Sequence, residues 1–232
     1  MKRLFGGLLR YLVLLTVLIS LPTLLVGCSD SGVAFPDPKL EGSIRQAIGK
    51  PSGRIYQSDL SALTLLDASG LGIINLTGLE YCTSLTNLYL NGNQINDLSP
   101  LSGLTSLTEL GLSNNQISDL SPLSGLTSLT TILDLETNLI SDISPLSGLT
   151  SLTVLNLNWN QVSDLSPLSG LTGLTYLACY DNEISDISPL SGLTKLESLD
   201  LRGNPLNSNS INTWIPSLEG RGVYVCWGTV NC

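Results

Sequence analysis

The sequence predicts an α/β solenoid, a stack of short turns that each add one strand to a common sheet, and three observations carry the prediction. A 22-residue phrase, LTELGLSNNQISDLSPLSGLTS from Leu107, recurs along most of the chain. Within each copy, two apolar places flank one outward place, which is the period of a strand. An Asn stands at the ninth place in six of seven copies. A unit this short cannot bury its own apolar face, so the copies must stack into a continuous core.

The elements follow in chain order. Lys2, Arg3 and Arg10 precede an apolar run from Tyr11 to Val26 that ends at Cys28. This is the layout of a signal peptide over residues 1–27. The run is 16 residues long, below the roughly 20 needed to span a bilayer. The junction Leu25-Val26-Gly27-Cys28 resembles the lipobox of bacterial lipoproteins. That resemblance implies cleavage before Cys28 and acylation of its thiol, as by palmitate, so Cys28 is the expected lipid attachment site. Two or three acyl chains, at about 0.8 kcal/mol per buried methylene, anchor a protein stably. A tether over 28–34 then leads to the folded part.

Residues 35–62 read as an N-terminal cap. Leu40, Ile44, Ala47 and Ile48 follow helical spacing after Asp37-Pro38, and Gly49 and Pro51 stop the run. Ser58 is expected to cap a second short helix from Asp59 to Ala62.

The repeats, over 63–206, start at Leu63, Leu85, Leu107, Leu129, Leu152, Leu174 and Leu196, giving seven turns with the last one partial. The spacing is 22 except for one 23-residue step after Leu129, where an extra residue within Thr130 to Ile132 is expected to bulge the strand or loosen its register. Asn93, Asn115, Asn138, Asn160, Asn182 and Asn204 fill the ninth place, and Leu71 alone breaks the column. A stacked amide both donates and accepts, so the column reads as a structural ladder. Each Ser-Pro pair, as at Ser121-Pro122, is expected to start a short helical return with the Ser hydroxyl as cap. Asp97, Asp119, Asp142, Asp164 and Asp186 form a column just before. Stacked carboxylates repel, so each needs local backbone N–H partners or a shared cation such as calcium.

The pattern Leu-x-x-Leu-x-Leu-x-x-Asn-x-Ile, followed by Asp-Leu-Ser-Pro-Leu-Ser-Gly-Leu, resembles the leucine-rich repeat, in the 22-residue subtype of the internalins. The resemblance covers about residues 35 to 226. It implies a right-handed horseshoe: a parallel sheet on the concave side, short 3₁₀ or irregular turns on the convex side, and a concave surface that binds protein.

Residues 207–232 read as a C-terminal cap, with Ile211, Trp214, Ile215 and Leu218 on one helical face and Val223-Tyr224-Val225 as a last strand. Of the five cysteines, Cys82 and Cys179 sit in apolar columns. Stacking separates them by roughly 24 Å, beyond disulfide reach. Cys226 and Cys232 are close in sequence, and an extracytoplasmic location permits a bridge between them.

Composition excludes whole classes of activity. There is no histidine, hence no Ser-His-Asp or Cys-His catalysis. No phosphate loop, dinucleotide fingerprint or cysteine pair at metal spacing is present. No enzyme, cofactor or metal is expected. Removing residues 1–27 leaves 7 Lys and Arg against 19 Asp and Glu, a net charge of −12. That sign argues against nucleic acid. The chain is expected to be a monomer whose only membrane contact is its anchor.

Function is expected in the places that point away from the core. Most are small or polar, but Glu136, Val154, Trp159, Tyr176, Tyr180 and Asp181 fall together on turns four to six, with Tyr89 farther along. Trp and Tyr supply large rigid contact area. The expectation is a lipid-anchored extracytoplasmic module that binds a protein partner through this patch. Two other readings stay open: carbohydrate or cell-wall binding by stacking on Trp159, Tyr176 and Tyr180, and a passive envelope spacer.

Overall fold

Two inward side chains separated by one outward residue make each copy fold its third to fifth places as a strand of only three residues. A computed structural model describes residues 32–228. Over that span the strands are β1 (Leu65–Asp67), β2 (Asn87–Tyr89), β3 (Glu109–Gly111), β4 (Ile132–Asp134), β5 (Val154–Asn156), β6 (Tyr176–Ala178), β7 (Ser198–Asp200) and β8 (Tyr224–Cys226). They form one parallel sheet in sequence order. Register advances by one whole copy per strand, Leu66 beside Leu88 beside Leu110, so equal places stack. The leucines of strands and returns meet in one core that runs the length of the stack. This is the predicted solenoid, with its parallel sheet and short 3₁₀ returns.

The returns, such as Ser121–Leu123 and Ser166–Gly170, are 3₁₀ turns with Ser first and Pro second. The cap is supplied one step earlier than expected. The Ser hydroxyl caps nothing; instead Asp Oδ1 accepts the backbone N–H of the Ser two residues on, at 2.8 or 2.9 Å in all five copies. The Ser hydroxyl donates to the same carboxylate, at 2.6 to 3.0 Å from Asp119 to Asp186, and the Ser99 hydroxyl likewise bonds Asp97. Carboxylate is the stronger acceptor, so it takes the cap and turns the hydroxyl into a second donor. Hydrogen bonds from the Ser hydroxyl and N–H hold Asp97, Asp119, Asp164 and Asp186 below the usual carboxylate range.

The Asn column is a ladder of fixed design. Asn160 Oδ1 accepts Ile140 N–H of the preceding turn at 3.0 Å, while its Nδ2 donates to Leu135 O of that turn at 3.0 Å and to Leu157 O of its own at 3.2 Å. The same three partners recur from Asn93 to Asn204. The residue before the ninth place, which is Leu71 in the first turn and Asn in the other six, is in the left-handed region in all seven turns: Gly70, Gly92, Asn114, Thr137, Trp159, Asp181 and Gly203, with φ from 54° to 72°. That turn is what ends each strand and aims the Asn inward.

The 23-residue step leaves the sheet undisturbed. Glu109 pairs with Ile132 and β4 keeps the normal three-residue form. The extra residue lies ahead of the strand, where Thr130 N–H and Thr131 N–H both reach Thr108 O at 3.2 and 3.1 Å. In the next turn the Thr153 hydroxyl lies 2.9 and 2.8 Å from Thr130 O and Thr131 O. The bulge falls outside the strand because the inward Leu133 and Leu135 fix the register.

Gly173 stands where other copies carry Ser106, Ser128 or Ser151. A Cβ there would lie 2.9 Å from Thr150 O and 3.0 Å from Leu152 O, both backbone atoms of the preceding turn. Gly173→Ser restores the repeat phrase, yet we expect it to destabilise the fold by about 1–3 kcal/mol. Urea unfolding checks this; an unchanged or raised midpoint would refute it.

At the N-terminal end α1 (Pro38–Ala47) buries Leu40 and Ile44. Asp37 joins it to the first turn: Oδ1 accepts Lys39 N–H at 2.9 Å and Leu40 N–H at 3.4 Å, and Oδ2 accepts Ile74 N–H at 2.8 Å and Asn75 N–H at 3.3 Å. The second helix, α2 (Gln57–Leu60), starts ahead of Ser58. Asp59 Oδ2 accepts Tyr56 N–H at 2.8 Å, the carboxylate half of a capping box, so the helix starts at Gln57 rather than after Ser58. At the other end Ser210–Trp214 is a π-helical turn leading into α3 (Ile215–Glu219). Ile215 and Leu218 are buried, with Ile211 and Trp214 half-buried beside them. The last strand is shifted one residue from the expected span, to Tyr224–Cys226, and lies parallel to β7.

Cys82 and Cys179 are free and fully buried in the apolar columns. Burial, helped by Glu80, pushes the Cys82 thiol up to about 12, and burial raises Cys179 as well. Neither is a nucleophile at neutral pH. Cys226 is disulfide-bonded; its expected partner Cys232 lies outside the described residues, as do Cys28 and the leader.

Candidate functional site

Because equal places stack, the outward residues of the third, fifth and seventh places form three columns on one face of the sheet, and neighbours in a column are one copy apart in sequence. The seventh-place column brings together Tyr180 and Arg202, and Trp159 reaches the same spot from the left-handed eighth place of the preceding turn.

Trp159 meets Tyr180 edge to face, ring centroids 4.9 Å apart and planes at 80°. The Arg202 guanidinium carbon lies 5.1 Å from the Tyr180 centroid. Asp200 fixes that guanidinium: Arg202 Nε is 2.9 Å from Oδ1 and Nη2 is 2.5 Å from Oδ2. The forked pair with Asp200 pushes the Arg202 pKa up further, so the cation is permanent. The result is a rigid stack of carboxylate, guanidinium, phenol ring and indole across β5 to β7, with Trp159 46% exposed. Asp200 and Arg202 were absent from the sequence reading. The signal was available, since Arg202 is one 22-residue step after Tyr180.

The other predicted residues divide. Tyr176, on β6, is 40% exposed on the same face and within electrostatic reach of Arg202. Asp181 is half-buried at a left-handed position (φ 54°), with Gly203 of the next turn packed close against its backbone. Glu136 belongs to a separate polar group, its Oε2 accepting Asn156 Nδ2 at 2.8 Å beside Asp134. Burial, with Glu136 adding to it, raises the Asp134 carboxyl above the ordinary range. Tyr89 forms a third group with Asn87, Glu109 and Asp67; burial, then the Glu109 and Asp67 carboxylates, push its phenol up. Asn87 Nδ2 donates to Glu109 Oε2 at 2.8 Å.

The arrangement offers contact area and charge rather than chemistry. Among the described residues no three Asp, Glu, Cys or His side chains converge where they could hold a metal ion. Among the same residues no helix is long and apolar enough to cross a membrane.

Comparison with known proteins agrees with the fold. The family description "Leucine Rich repeats (2 copies)" matches residues 105–148 and 172–214, and "Leucine Rich repeat" matches 81–98 and 148–165. Neither describes a catalytic family. An internalin (inlF) of Listeria monocytogenes str. 4b F2365 is 38% identical over 85% of this chain and 58% of its own, with a TM-score of 0.76. Internalin C2 (inlC2) of the same strain is 33% identical over 84% of this chain and 94% of its own, with a TM-score of 0.73. Internalin H of Listeria monocytogenes serovar 1/2a is 38% identical over 60 residues, 25% of this chain but 11% of that protein. The chain therefore spans a small part of this curated relative and over half of the first solved one. Since nearly all of internalin C2 is covered at a third identity, and the same repeat is stacked in the same parallel sheet, the chain belongs to the internalin-type leucine-rich-repeat proteins.

Proposed function

We propose that this chain is a lipid-anchored extracytoplasmic protein that binds a protein partner through the outward face of its sheet, with Trp159 and Tyr180 at the centre of the contact. The observation that carries this reading is the backbone of Trp159. It is left-handed, at φ 56°, where three other turns have Gly and three have Asn114, Thr137 and Asp181, so Trp159 is the one aromatic residue in the column. For a bulky side chain that conformation costs about 1 kcal/mol. Strain of this kind supports a functional role where the fold has an easier alternative, and Gly70, Gly92 and Gly203 show that it does. The side chain so displayed is large, half-exposed and pre-ordered by Tyr180 and Arg202, which lowers the entropy cost of an interface.

Capture from envelope fractions tests it. Wild type should retain a protein that the Trp159→Ala, Tyr180→Ala double mutant loses by at least tenfold; equal capture by both would remove the patch from the reading. Carbohydrate binding is the second reading, and retention of polysaccharide without protein would favour it. The engagement of Tyr180 by both Trp159 and Arg202 favours protein, since sugar stacking needs an open ring face. The anchor is supported by the Leu25-Val26-Gly27-Cys28 junction. Palmitate should label wild type but not Cys28→Ala.

A further inference from the structure

The sheet face holds two versions of one arrangement, a tyrosine ring flanked by carboxylates. In the first, Tyr180 and Asp200 enclose the Arg202 guanidinium. In the second, Tyr89 lies with Asp67 and Glu109, and no Lys or Arg of the described residues pairs with either carboxylate; the three ion pairs there are Arg45–Glu41, Lys50–Asp59 and Arg202–Asp200. Between the two lie Asp134 and Glu136, likewise without a cation. From β1 to β4 the face thus carries carboxylates unpaired with Lys or Arg, along with the exposed Leu65 and half-buried Ile132, and the exposed Trp159 and Tyr176 rings gather at β5 and β6. A carboxylate beside an electron-rich ring face attracts a guanidinium or ammonium group by charge and by cation–π contact together.

We propose that the partner docks as a basic polypeptide segment laid across the strands, placing a Lys or Arg over Tyr89 between Asp67 and Glu109 and an apolar residue against Trp159. This rests on the reading of the sheet face as a protein-binding surface and adds the chemistry of the partner. Charge complementarity carries it: the chain from Cys28 on is net −12, and the two cations beside these groups are already engaged, Arg202 by Asp200 and Lys39, which borders Asp67, by Gly72 O at 2.9 Å. The spacing supports a segment several residues long. Three strand spacings separate Tyr89 on β2 from β5, whose turn carries Trp159, roughly 14 Å at about 4.8 Å per strand, which an extended chain spans in about four residues.

The probe is a phage-displayed library of random 12-residue peptides, panned on the full chain. Three variants are panned in parallel: Glu109→Gln with Glu136→Gln on the face, Glu183→Gln with Glu219→Gln away from it at the same net charge, and Trp159→Ala with Tyr180→Ala. Peptides selected by wild type should be enriched at least threefold in Lys and Arg over the unselected library. The enrichment should survive the distant pair and vanish with the face pair. Equal loss with both charge pairs would show only the overall charge of the protein and overturn the proposal. Selected peptides with no basic excess that still require Trp159 and Tyr180 would overturn it too, while leaving the protein-binding reading intact. Failure to select any peptide that depends on Trp159 and Tyr180 would overturn both.

Discussion

Asn160→Ala is expected to destabilise the solenoid by about 2–3 kcal/mol. The residue is 9% exposed. Removal of its amide leaves Ile140 N–H without an acceptor and takes one of two amide donors from Leu135 O, which keeps Asn138 Nδ2, and from Leu157 O, which keeps Asn182 Nδ2. An unsatisfied buried donor or acceptor costs about 1–3 kcal/mol, and the terms add only in part. Asn160→Asp separates the components. It keeps the acceptor for Ile140 N–H but sets a carboxylate against two carbonyl oxygens, so it should be no less harmful than Ala at neutral pH and should recover as pH falls. Chemical unfolding of the three proteins checks this. A loss below about 1 kcal/mol in Asn160→Ala would mean that water replaces the amide and that the ladder is not a main support.

Asp37→Ala should cost about 2–3 kcal/mol, because one carboxylate caps α1 and also binds two N–H groups of the first turn. The effect should be local in origin, with hydrogen exchange rising first in residues 35–48. Burial works against ionisation of Asp37, but bonds from Ile74, Asn75, Lys39 and Leu40 outweigh it, and the carboxyl ends below its ordinary range. A carboxyl lowered by folding contributes stability that is present above its unfolded value near 4 and is lost as pH falls through its folded value. Wild type should therefore lose cap stability below about pH 4 more steeply than Asp37→Ala. Parallel acid curves for the two proteins would show that the carboxylate carries no charge-dependent part of the docking.

The solenoid, the Asn ladder and the buried thiols were legible in the sequence because each rests on a column, and a column repeats its evidence in every copy. What the sequence hid sits where two physical choices compete inside one copy. Ser and Asp both offer an oxygen to the start of the 3₁₀ return, and only geometry shows that Asp takes the N–H while Ser donates to it. Trp159 read as an outward residue of the repeat; its backbone lies in the left-handed turn, a conformation that Gly70, Gly92 and Gly203 marked in the same column. The patch was drawn from outward places and residue type, without the side-chain partners that stacking supplies. Stacking splits off Glu136 and Tyr89 and brings in Arg202 and Asp200, which composition did not distinguish from other surface charge.

The Asn ladder also bears on how long such a molecule can be. Each middle copy brings one amide that serves the copy before it, and presents an N–H and a carbonyl that the copy after it will serve. Supply and demand match within the copy, so an added or deleted 22-residue unit leaves no unpaired group behind. Only the ends require special chemistry: Asp37 on one side, and on the other Ser210, whose hydroxyl accepts Ile187 N–H and donates to Ser185 O. Copy number is therefore a nearly neutral variable, and a lineage can lengthen or shorten its recognition surface by whole turns while the two terminal devices stay the same.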